Sequence, residues 1–511
     1  MSTSESGEAR RKNRRALTRH DITVVDRAVL RRAVGAAALG NAMEWYDFGV
    51  YAYLATTLAR VFFPPGDIGL ATLASLGAFT AAFLVRPIGG AILGPLGDKI
   101  GRRSILALTM IVMAIGTLAI GLIPDYATIG IWAPILLLIC RLVQGFSAGG
   151  EYGGAATFIA EYSTDRRRGY AGSWLEFGTL SGYVLGAVIV TVIQFVFPED
   201  VLLSWAWRIP FLLAGPLGLI GLYLRLRLEE TPAFKKQQQA STEREQEKTP
   251  FARLFAQSWR PLLVCVGLVL VFNVSDYMLL TYMPTYLTGS LGRDAISGLL
   301  IIIVVMVMLM TVMATGGRLS DRFGRKPMLY VGCIGFFVLS WPALKLIQSE
   351  NIVISFSGLL ILGLILVTFM STMPATLPAL FPTVIRYGAL AIAFNVSVSL
   401  FGGTTPLVTD ALVQWATDAH LPFALDIPAF YLMAAALIGA VAVFFTPETA
   451  QTPLMGSGPA VASIEEGKFV MAQYANPESD MSQSDWGQDF ASSHDDDEIG
   501  KDHGDDGKDG T

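Results

Sequence analysis

Charge is scarce in this sequence. Only 15% of its 511 residues are Asp, Glu, Lys or Arg, against roughly 25% in ordinary soluble domains, and that deficit excludes a string of soluble domains. Cysteine is scarcer still. Cys140, Cys265 and Cys333 each sit inside an apolar run, so neither a disulfide framework nor a zinc cage is available. The pattern G-x-x-x-x-G-K-[ST] is missing, which argues against an ATP-driven pump; no enzymatic chemistry, cofactor or metal is expected. No A-x-A-like cleavage site follows a short apolar stretch, so the first apolar segment is expected to remain as an anchor.

What is abundant is apolar sequence, 53% of residues, arranged in long uncharged runs. A bilayer core of about 30 Å asks for about 20 apolar helical residues per crossing. Twelve runs meet or approach that length: Ala33 to Phe62, Leu70 to Leu96, Ser104 to Ile123, Ile131 to Phe158, Ser173 to Phe197, Ile209 to Leu226, Pro261 to Leu287, Ser297 to Gly317, Met328 to Ile347, Ile352 to Met373, Ala389 to Leu412 and Ala429 to Thr446. The expected fold class is therefore an all-α integral membrane protein with twelve transmembrane helices. The runs divide into two groups of six, giving a basic arm over 1–32, bundles over 33–226 and 259–446, a central polar loop over 227–258 and an acidic tail over 447–511.

Orientation follows from the basic residues, which collect in cytosolic loops. With the N-terminus inside, 31 of the 37 Lys and Arg fall on the inner side, four on outer edges and two, Arg86 and Arg141, within spans. Both termini are expected to be cytosolic, in a plasma (inner) membrane protein. The basic arm is read as a topogenic signal beside a membrane span, not as a nucleic-acid contact. The overall charge of −5 hides a tail holding 15 acidic residues and 3 Lys, which leaves the rest of the chain at +7.

The loop between spans two and three reads Gly94-Pro95-Leu96-Gly97-Asp98-Lys99-Ile100-Gly101-Arg102-Arg103. That between spans eight and nine reads Gly317-Arg318-Leu319-Ser320-Asp321-Arg322-Phe323-Gly324-Arg325-Lys326. Gly, Asp, Gly and Arg recur at an offset of 223 residues, each time at the second connection of its half, which indicates an internal duplication. The first glycine of each copy permits close helix approach and the second a tight turn. The aspartate can accept from helix-end N–H groups or pair with an arginine across the cytosolic face.

This motif, G-x-L-x-D-x-x-G-R-[RK], resembles the signature of the major facilitator superfamily. The stretches Gly40 to Gly49, Gln144 to Glu151, Trp205 to Phe211, Glu229 to Phe234 and Leu377 to Thr383 are similar to the metabolite–proton symporter branch, and within it to the osmoregulatory proline/glycine-betaine–proton symporters. The likeness runs from about Ile22 to Thr449. It implies two pseudo-symmetric six-helix bundles around a central cavity, lined mainly by the first and fourth helices of each half and worked by alternating access.

An ionisable side chain within a span costs at least about 2.5–3.5 kcal/mol, so each is expected to be paired, wet or functional. The set is Glu44, Asp47, Arg86, Arg141, Glu151, Glu176 and Asp276, with Asp410 near an end. At about 1.5 Å per residue, Arg141 lies about 15 Å into span four, and Glu44 and Asp47 about 16 and 21 Å into span one. Arg141 is thus placed to meet a span-one carboxylate. The functional reading makes Arg141 the carboxylate-binding cation and Glu44 or Asp47 the proton carrier that releases it; the structural reading is a static salt bridge. Gln144 shares the face of Arg141. Asn41, Trp45, Tyr46, Asn273 and Tyr277 offer hydrogen-bonding and aromatic groups to a solute, and aromatic faces suit a quaternary ammonium, though they also serve as packing. Asp276 stands where the resemblance implies a neutral residue and bears on substrate preference or proton coupling. Glu151 and Glu161 are expected to meet Arg102, Arg103 or Arg168 in a cytosolic gate, and Arg86, near the cytosolic end of span two, to snorkel.

Only Arg141 is a central cation, so a citrate-like trianion would lack counter-charge; a zwitterion or monocarboxylate fits. Proline, glycine betaine or a similar compatible solute, imported with protons, is the first expectation. Two alternatives stand beside it: a dicarboxylate or shikimate-like acid on the same fold, and a non-transporting membrane sensor. Span five lacks the Gly-Pro pair of superfamily antiporters, since Ala187 follows Gly186, which favours symport. The tail shows no a/d heptads and is expected to be disordered, with a salt-dependent attraction to the basic loops through which osmolality would act.

Overall fold

The computed structural model describes residues 22–100, 102–226, 258–383 and 385–475. The arm before residue 22, the central stretch 227–257 and the acidic run Asp495 to Glu498 lie outside the described residues. Each apolar run is helical. The first half comprises span one (Arg27–Tyr53 with Ala55–Phe62), span two (Ile68–Ile100), span three (Arg102–Leu122), span four (Trp132–Ala148 with Glu151–Tyr162), span five (Arg168–Val196) and span six (Ile209–Leu226). The second comprises span seven (from Trp259 to Ser290), span eight (Ala295–Phe323), span nine (Arg325–Ile347), span ten (Ile352–Met370 with Met373–Ala379), span eleven (from Arg386 to Asp418) and span twelve (Ile427–Phe445). Nine of the described stretches are long and apolar enough to cross a bilayer.

The helices start where the chain supplies caps. Asp26 accepts from Ala28 N at 2.7 Å, Asp294 from Ser297 N at 2.9 Å and Asn351 from Val353 N at 2.9 Å, each satisfying an N–H that the helix cannot. Spans one, four, seven and ten are interrupted. Span four breaks at Gly149-Gly150, two poor helix formers, and span ten at Ser371-Thr372, just before Pro374. Span seven widens into π-helical turns at Tyr277–Tyr282 and Tyr286–Ser290, flanking Pro284, whose missing N–H breaks the regular ladder. Span eleven is interrupted as well, by π-helical Val398–Gly402 and a turn at Gly403-Thr404, so the interruptions fall on the first and fourth helices of each half and on the fifth of the second.

Span one packs on span five through Gly178 and Gly182. A Cβ added at Gly182 would lie 2.1 Å from the Ala42 carbonyl oxygen, and one at Gly178 2.2 Å from that of Ala38; the backbones touch because the side chains are absent. The halves meet where span eight crosses span five, span eleven crosses span two, and span ten crosses span four. At the end opposite the termini they part around a vestibule of about 1270 Å³ bordered by Thr57, Arg60, Gln194, Thr285, Lys345 and Asp410 among others.

The end carrying the termini is closed, and here the expectation of a wholly disordered tail is corrected. Over 447–475 the chain is an ordered strap. Glu448 Oε1 accepts from Arg325 N at 2.9 Å and Oε2 from Lys326 N at 3.0 Å, capping span nine. Gln451 donates to the Asp321 carbonyl at 2.8 Å, and Arg386 donates to the Met455 carbonyl at 2.8 Å. Strand β2 (Ala460–Val461) pairs in parallel with β1 (Thr23–Val24), Asp165 Oδ2 accepts from Ala460 N at 3.0 Å, and helix Ile464–Ala475 brings Glu466 to 3.7 Å from Arg166. Composition predicted solvation; a helix end and loop cations that need acceptors hold the segment instead.

Gly182→Val is expected to push spans one and five apart, costing at least about 1–3 kcal/mol, and to lower the thermal midpoint of the purified protein in detergent. Gly77→Ala, with nothing within 4 Å of the added carbon, should leave it unchanged; equal midpoints for both variants would refute this packing account.

Candidate functional site

Most of the intramembrane ionisable groups gather where spans one, two, four, five and seven cross. Arg86 is buried, 1% exposed, and donates to Glu44 Oε1 at 2.8 Å. Its guanidinium lies over the rings of Phe48 and Phe83 at 4.6 and 4.5 Å. The snorkelling expectation is therefore corrected: helix two runs on to Ile100, so Arg86 is central on its span and is the partner of Glu44.

Arg141 is completely buried, 0% exposed. The direct pairing with a span-one carboxylate is also corrected, because Arg141 forms no ion pair among the described residues. Its Nη1 donates to Gln144 Oε1 at 3.0 Å, Gln144 Nε2 donates to Thr117 Oγ1 at 2.6 Å, and Thr117 Oγ1 donates to Asp47 Oδ2 at 2.8 Å. Arg141 and Asp47 are thus joined through two neutral side chains. The guanidinium rests on Tyr51 at 4.2 Å, Phe48 at 5.1 Å and Phe79 at 5.3 Å. Among the described residues its Nε and Nη2 have no acceptor.

Around these cations lies an aromatic floor. Trp45 stands 5.2 Å from Tyr183 and 5.7 Å from Tyr277, and Tyr277 is 5.2 Å from Phe83. Among the described residues the Tyr277 hydroxyl has no partner. Three other sequence candidates turn to structural work. Asn41 donates to Thr179 Oγ1 at 2.6 Å and to the Leu175 carbonyl at 2.9 Å, binding span one to span five, and accepts from Trp45 Nε1 at 3.2 Å. Tyr46 donates to the Pro210 carbonyl at 2.7 Å, and Asn273 to the Val269 carbonyl of its own helix at 3.0 Å; both corrections arise because a buried polar group takes the nearest backbone acceptor. On span five, Glu176 accepts from Tyr152 at 2.6 Å and Thr179 at 2.8 Å. Asp276 is buried and its Oδ1 has no partner.

The second copy of the loop motif latches the halves together. Asp321 Oδ1 and Oδ2 accept from Gly169 N and Tyr170 N, both at 2.8 Å, at the start of span five, while Arg325 Nη2 reaches Oδ1 at 2.5 Å. Gly317 faces the Gly169 carbonyl, 2.7 Å from where a Cβ would stand, and Gly324 turns the chain at φ 102°. In the first copy Gly101 lies outside the described residues, as do the side chains of Asp98, Arg102 and Arg103; Gly94 is on helix two. Glu161 pairs with Arg386 at 2.8 Å and, among the described residues, not with Arg168, which is held by Asp165 and donates to the Thr452 carbonyl at 3.0 Å; the expected contacts of Glu151 and Glu161 with Arg102 and Arg103 lie outside the described residues. Glu151 accepts from Thr109 at 2.7 Å. Asn395 donates to the Gly149 carbonyl, and Tyr152 stacks on Phe394 at 4.1 Å. Sequence reasoning missed Thr117, Tyr51, Tyr183, Asp165 and Arg386. For Arg386, only its place as the one inside basic residue between spans ten and eleven gave a signal.

The family profile described as Major Facilitator Superfamily matches residues 37–406. The chain is 50% identical over 471 residues to the proline/betaine transporter of Salmonella typhimurium, covering 91% of this chain and 93% of that one. It is 49% identical over 471 residues, with the same coverage of 91% and 93%, to the glycine betaine/proline/ectoine/pipecolic acid transporter of Dickeya dadantii. Among solved structures, the proton:xylose symporter bound to 6-bromo-6-deoxy-D-glucose matches with a TM-score of 0.67 at 20% identity, over 84% of this chain and 98% of that one. The partially occluded inward-open xylose transporter of E. coli matches with 0.65 at 20% identity, over 84% and 100%. At such identity these structures speak for the fold.

Arg86→Leu removes the cation from the pair with Glu44 and is expected to cost about 3–5 kcal/mol of stability, most of it regained in the double variant Glu44→Leu/Arg86→Leu. Unfolding midpoints in detergent check this, and a double variant no more stable than the single one would contradict it.

Proposed function

This chain belongs to the major facilitator superfamily, and from that membership we propose that it is a proton-coupled symporter that imports a small zwitterion such as proline or glycine betaine by alternating access. The observation that carries the reading is Arg141: a fully buried guanidinium with two nitrogens lacking acceptors, linked through Gln144 and Thr117 to Asp47. A guanidinium offers a planar fork of donors that matches a carboxylate. Arg86 is engaged by Glu44, so a single cation is left for the solute, which suits one carboxylate and not three. The names of the relatives at 49–50% identity support proline and betaine as the substrates.

Asp47 is the proton carrier in this reading, Glu44 being neutralised by Arg86. Ionised Asp47 draws the Thr117–Gln144–Arg141 chain toward itself. When it takes a proton, that pull is lost and Arg141 turns its free donors to the incoming carboxylate. The solute enters through the vestibule, whose Thr57 lies four residues, about 6 Å of helix rise, beyond Tyr53. Release on the other side requires the Asp321–span five, Glu161–Arg386 and Asn395–Gly149 contacts to part. With the termini in the cytosol and the protein in the plasma membrane, the vestibule faces outside and transport runs inward. Activation by high osmolality would act through the strap, which the Arg166–Glu466 contact at 3.7 Å ties to the loop before span five.

Uptake of radiolabelled proline and glycine betaine into proteoliposomes under an imposed inward pH gradient tests the function directly, with a dicarboxylate and shikimate as competitors. Both labelled solutes should accumulate and neither competitor should block them. Arg141→Gln should raise KM for both about 10-fold or more, the worth of a lost charge-assisted hydrogen bond. Asp47→Asn should retain solute counterflow but lose its stimulation by the pH gradient. Wild-type affinity in Arg141→Gln, or unaltered pH stimulation in Asp47→Asn, would sink the reading.

A further inference from the structure

Among the described residues of the central group, Asp276 is the carboxylate with an oxygen, Oδ1, that nothing in its surroundings satisfies. It ends the regular part of span seven, where the helix widens into its first π turn, a distortion frequent at functional sites. It is 2% exposed, its Oδ1 has no partner, and among the described residues no Lys, Arg or His pairs with it. Its electrostatic neighbours are Glu176, Tyr53, Tyr152, Tyr183 and Tyr277. Glu176 is of like charge and already accepts from Tyr152 and Thr179. The Tyr53 hydroxyl contacts Met306 Sδ at 3.9 Å, and that of Tyr183 is 3.1 Å from Thr281 Oγ1. The Tyr277 hydroxyl is unpartnered among the described residues and lies in the field of Arg86, Asp276, Glu44 and Arg141.

A buried carboxylate without donors in a membrane interior is costly unless it holds a proton or a cation reaches it during the working cycle. The rings of Tyr183 and Tyr277 near it, on which Trp45 packs, favour a cation further. We propose that Asp276 is the specificity-determining residue that receives the ammonium end of the solute, accepting hydrogen bonds from N–H groups on its nitrogen. The site then has two poles, Arg141 for the carboxylate and Asp276 for the ammonium, with Tyr277 between them. It selects solutes whose nitrogen carries N–H donors over fully methylated ones, because a quaternary nitrogen leaves the carboxylate oxygen without a donor. This rests on the reading of Arg141 as the carboxylate anchor.

The test uses the full-length protein in proteoliposomes with proline, N-methylproline and N,N-dimethylproline, which share ring and carboxylate and carry two, one and no N–H groups on the nitrogen. In the wild type, KM should rise along the series. In Asp276→Ala the preference for proline over N,N-dimethylproline should shrink about 10-fold or more, with Asp276→Asn intermediate. An unchanged KM ratio in Asp276→Ala, with wild-type uptake of all three, overturns this inference and leaves the Arg141 reading standing. Equal losses for all three solutes, with counterflow kept and pH stimulation gone, make Asp276 a proton carrier instead and also overturn it. Failure of the wild type to take up any of the three overturns the Arg141 reading and this inference together. Should the alanine variant not fold, the ratio in Asp276→Asn decides alone: a shift toward N,N-dimethylproline supports the inference, and none overturns it.

Discussion

A guanidinium sealed from water must have its donors filled, and Arg141 keeps two nitrogens that are not. In a medium where each unmet polar group costs on the order of 1–3 kcal/mol, such an arrangement persists only if the surroundings offset it, and here three aromatic faces do. The π faces stabilise the charge without using its N–H groups. That distinction matters: a carboxylate in the place of Tyr51 or Phe79 would hold Arg141 permanently, whereas rings hold it ready for a ligand. Arg86 shows the contrasting case, with Glu44 closing one side and Phe48 and Phe83 the others. Two arginines at similar depth thus differ in availability because one has an acid within reach and the other has an acid only through Gln144 and Thr117.

The surrounding scaffold is built so that such a centre can be reached from either side. Within each half, glycines bring backbones into contact, as at Gly182 against Ala42, which makes the bundle stiff. Between the halves the closed end is joined by polar contacts, two backbone N–H groups on Asp321, the Arg386–Glu161 pair and the Asn395 amide, together with close packing of Gly317 on Gly169 and of Tyr152 on Phe394. Stiff halves joined by contacts that can part move as bodies, which is what alternating access demands. The strap over 447–475 adds a second layer to that closed end, since it touches the cap of span nine, the Asp165 loop and strand β1 at once.

The architecture was legible because membrane burial imposes a crude rule, length and absence of charge, that a sequence displays openly. The duplicated loop was legible for a related reason: Gly324 must turn at positive φ and Gly317 must let span five approach, so the residue types are forced. The site was legible in part. Most of the intramembrane charges in the sequence gather where the spans cross, but their pairing depends on rotation and tilt of helices, which spacing along one chain does not encode. Arg86 was misjudged because the run of apolar residues ends before the helix does. Tyr46 and Asn273 looked like ligands for a solute, yet each lies closer to a backbone carbonyl. The strap was missed because acidity was taken as a sign of solvation, when Glu448 is an acid at a helix start and Asp165 an acid against a strand edge.

Charge balance ties the centre to its coupling ion. Arg86 and Arg141 stand against Glu44, Asp47, Glu176 and Asp276, so the ionised centre would carry two acids more than bases. A zwitterion brings as much positive as negative charge and leaves that excess where it was. Its ammonium and carboxylate can redistribute the field, one toward Asp276 and the other toward Arg141, but only an added proton lowers the sum. Carrying uncompensated charge through a low-dielectric interior is costly, so on the proposed reading the loaded carrier crosses with Asp47 protonated, and solute and proton travel together because neither alone settles both the geometry and the charge.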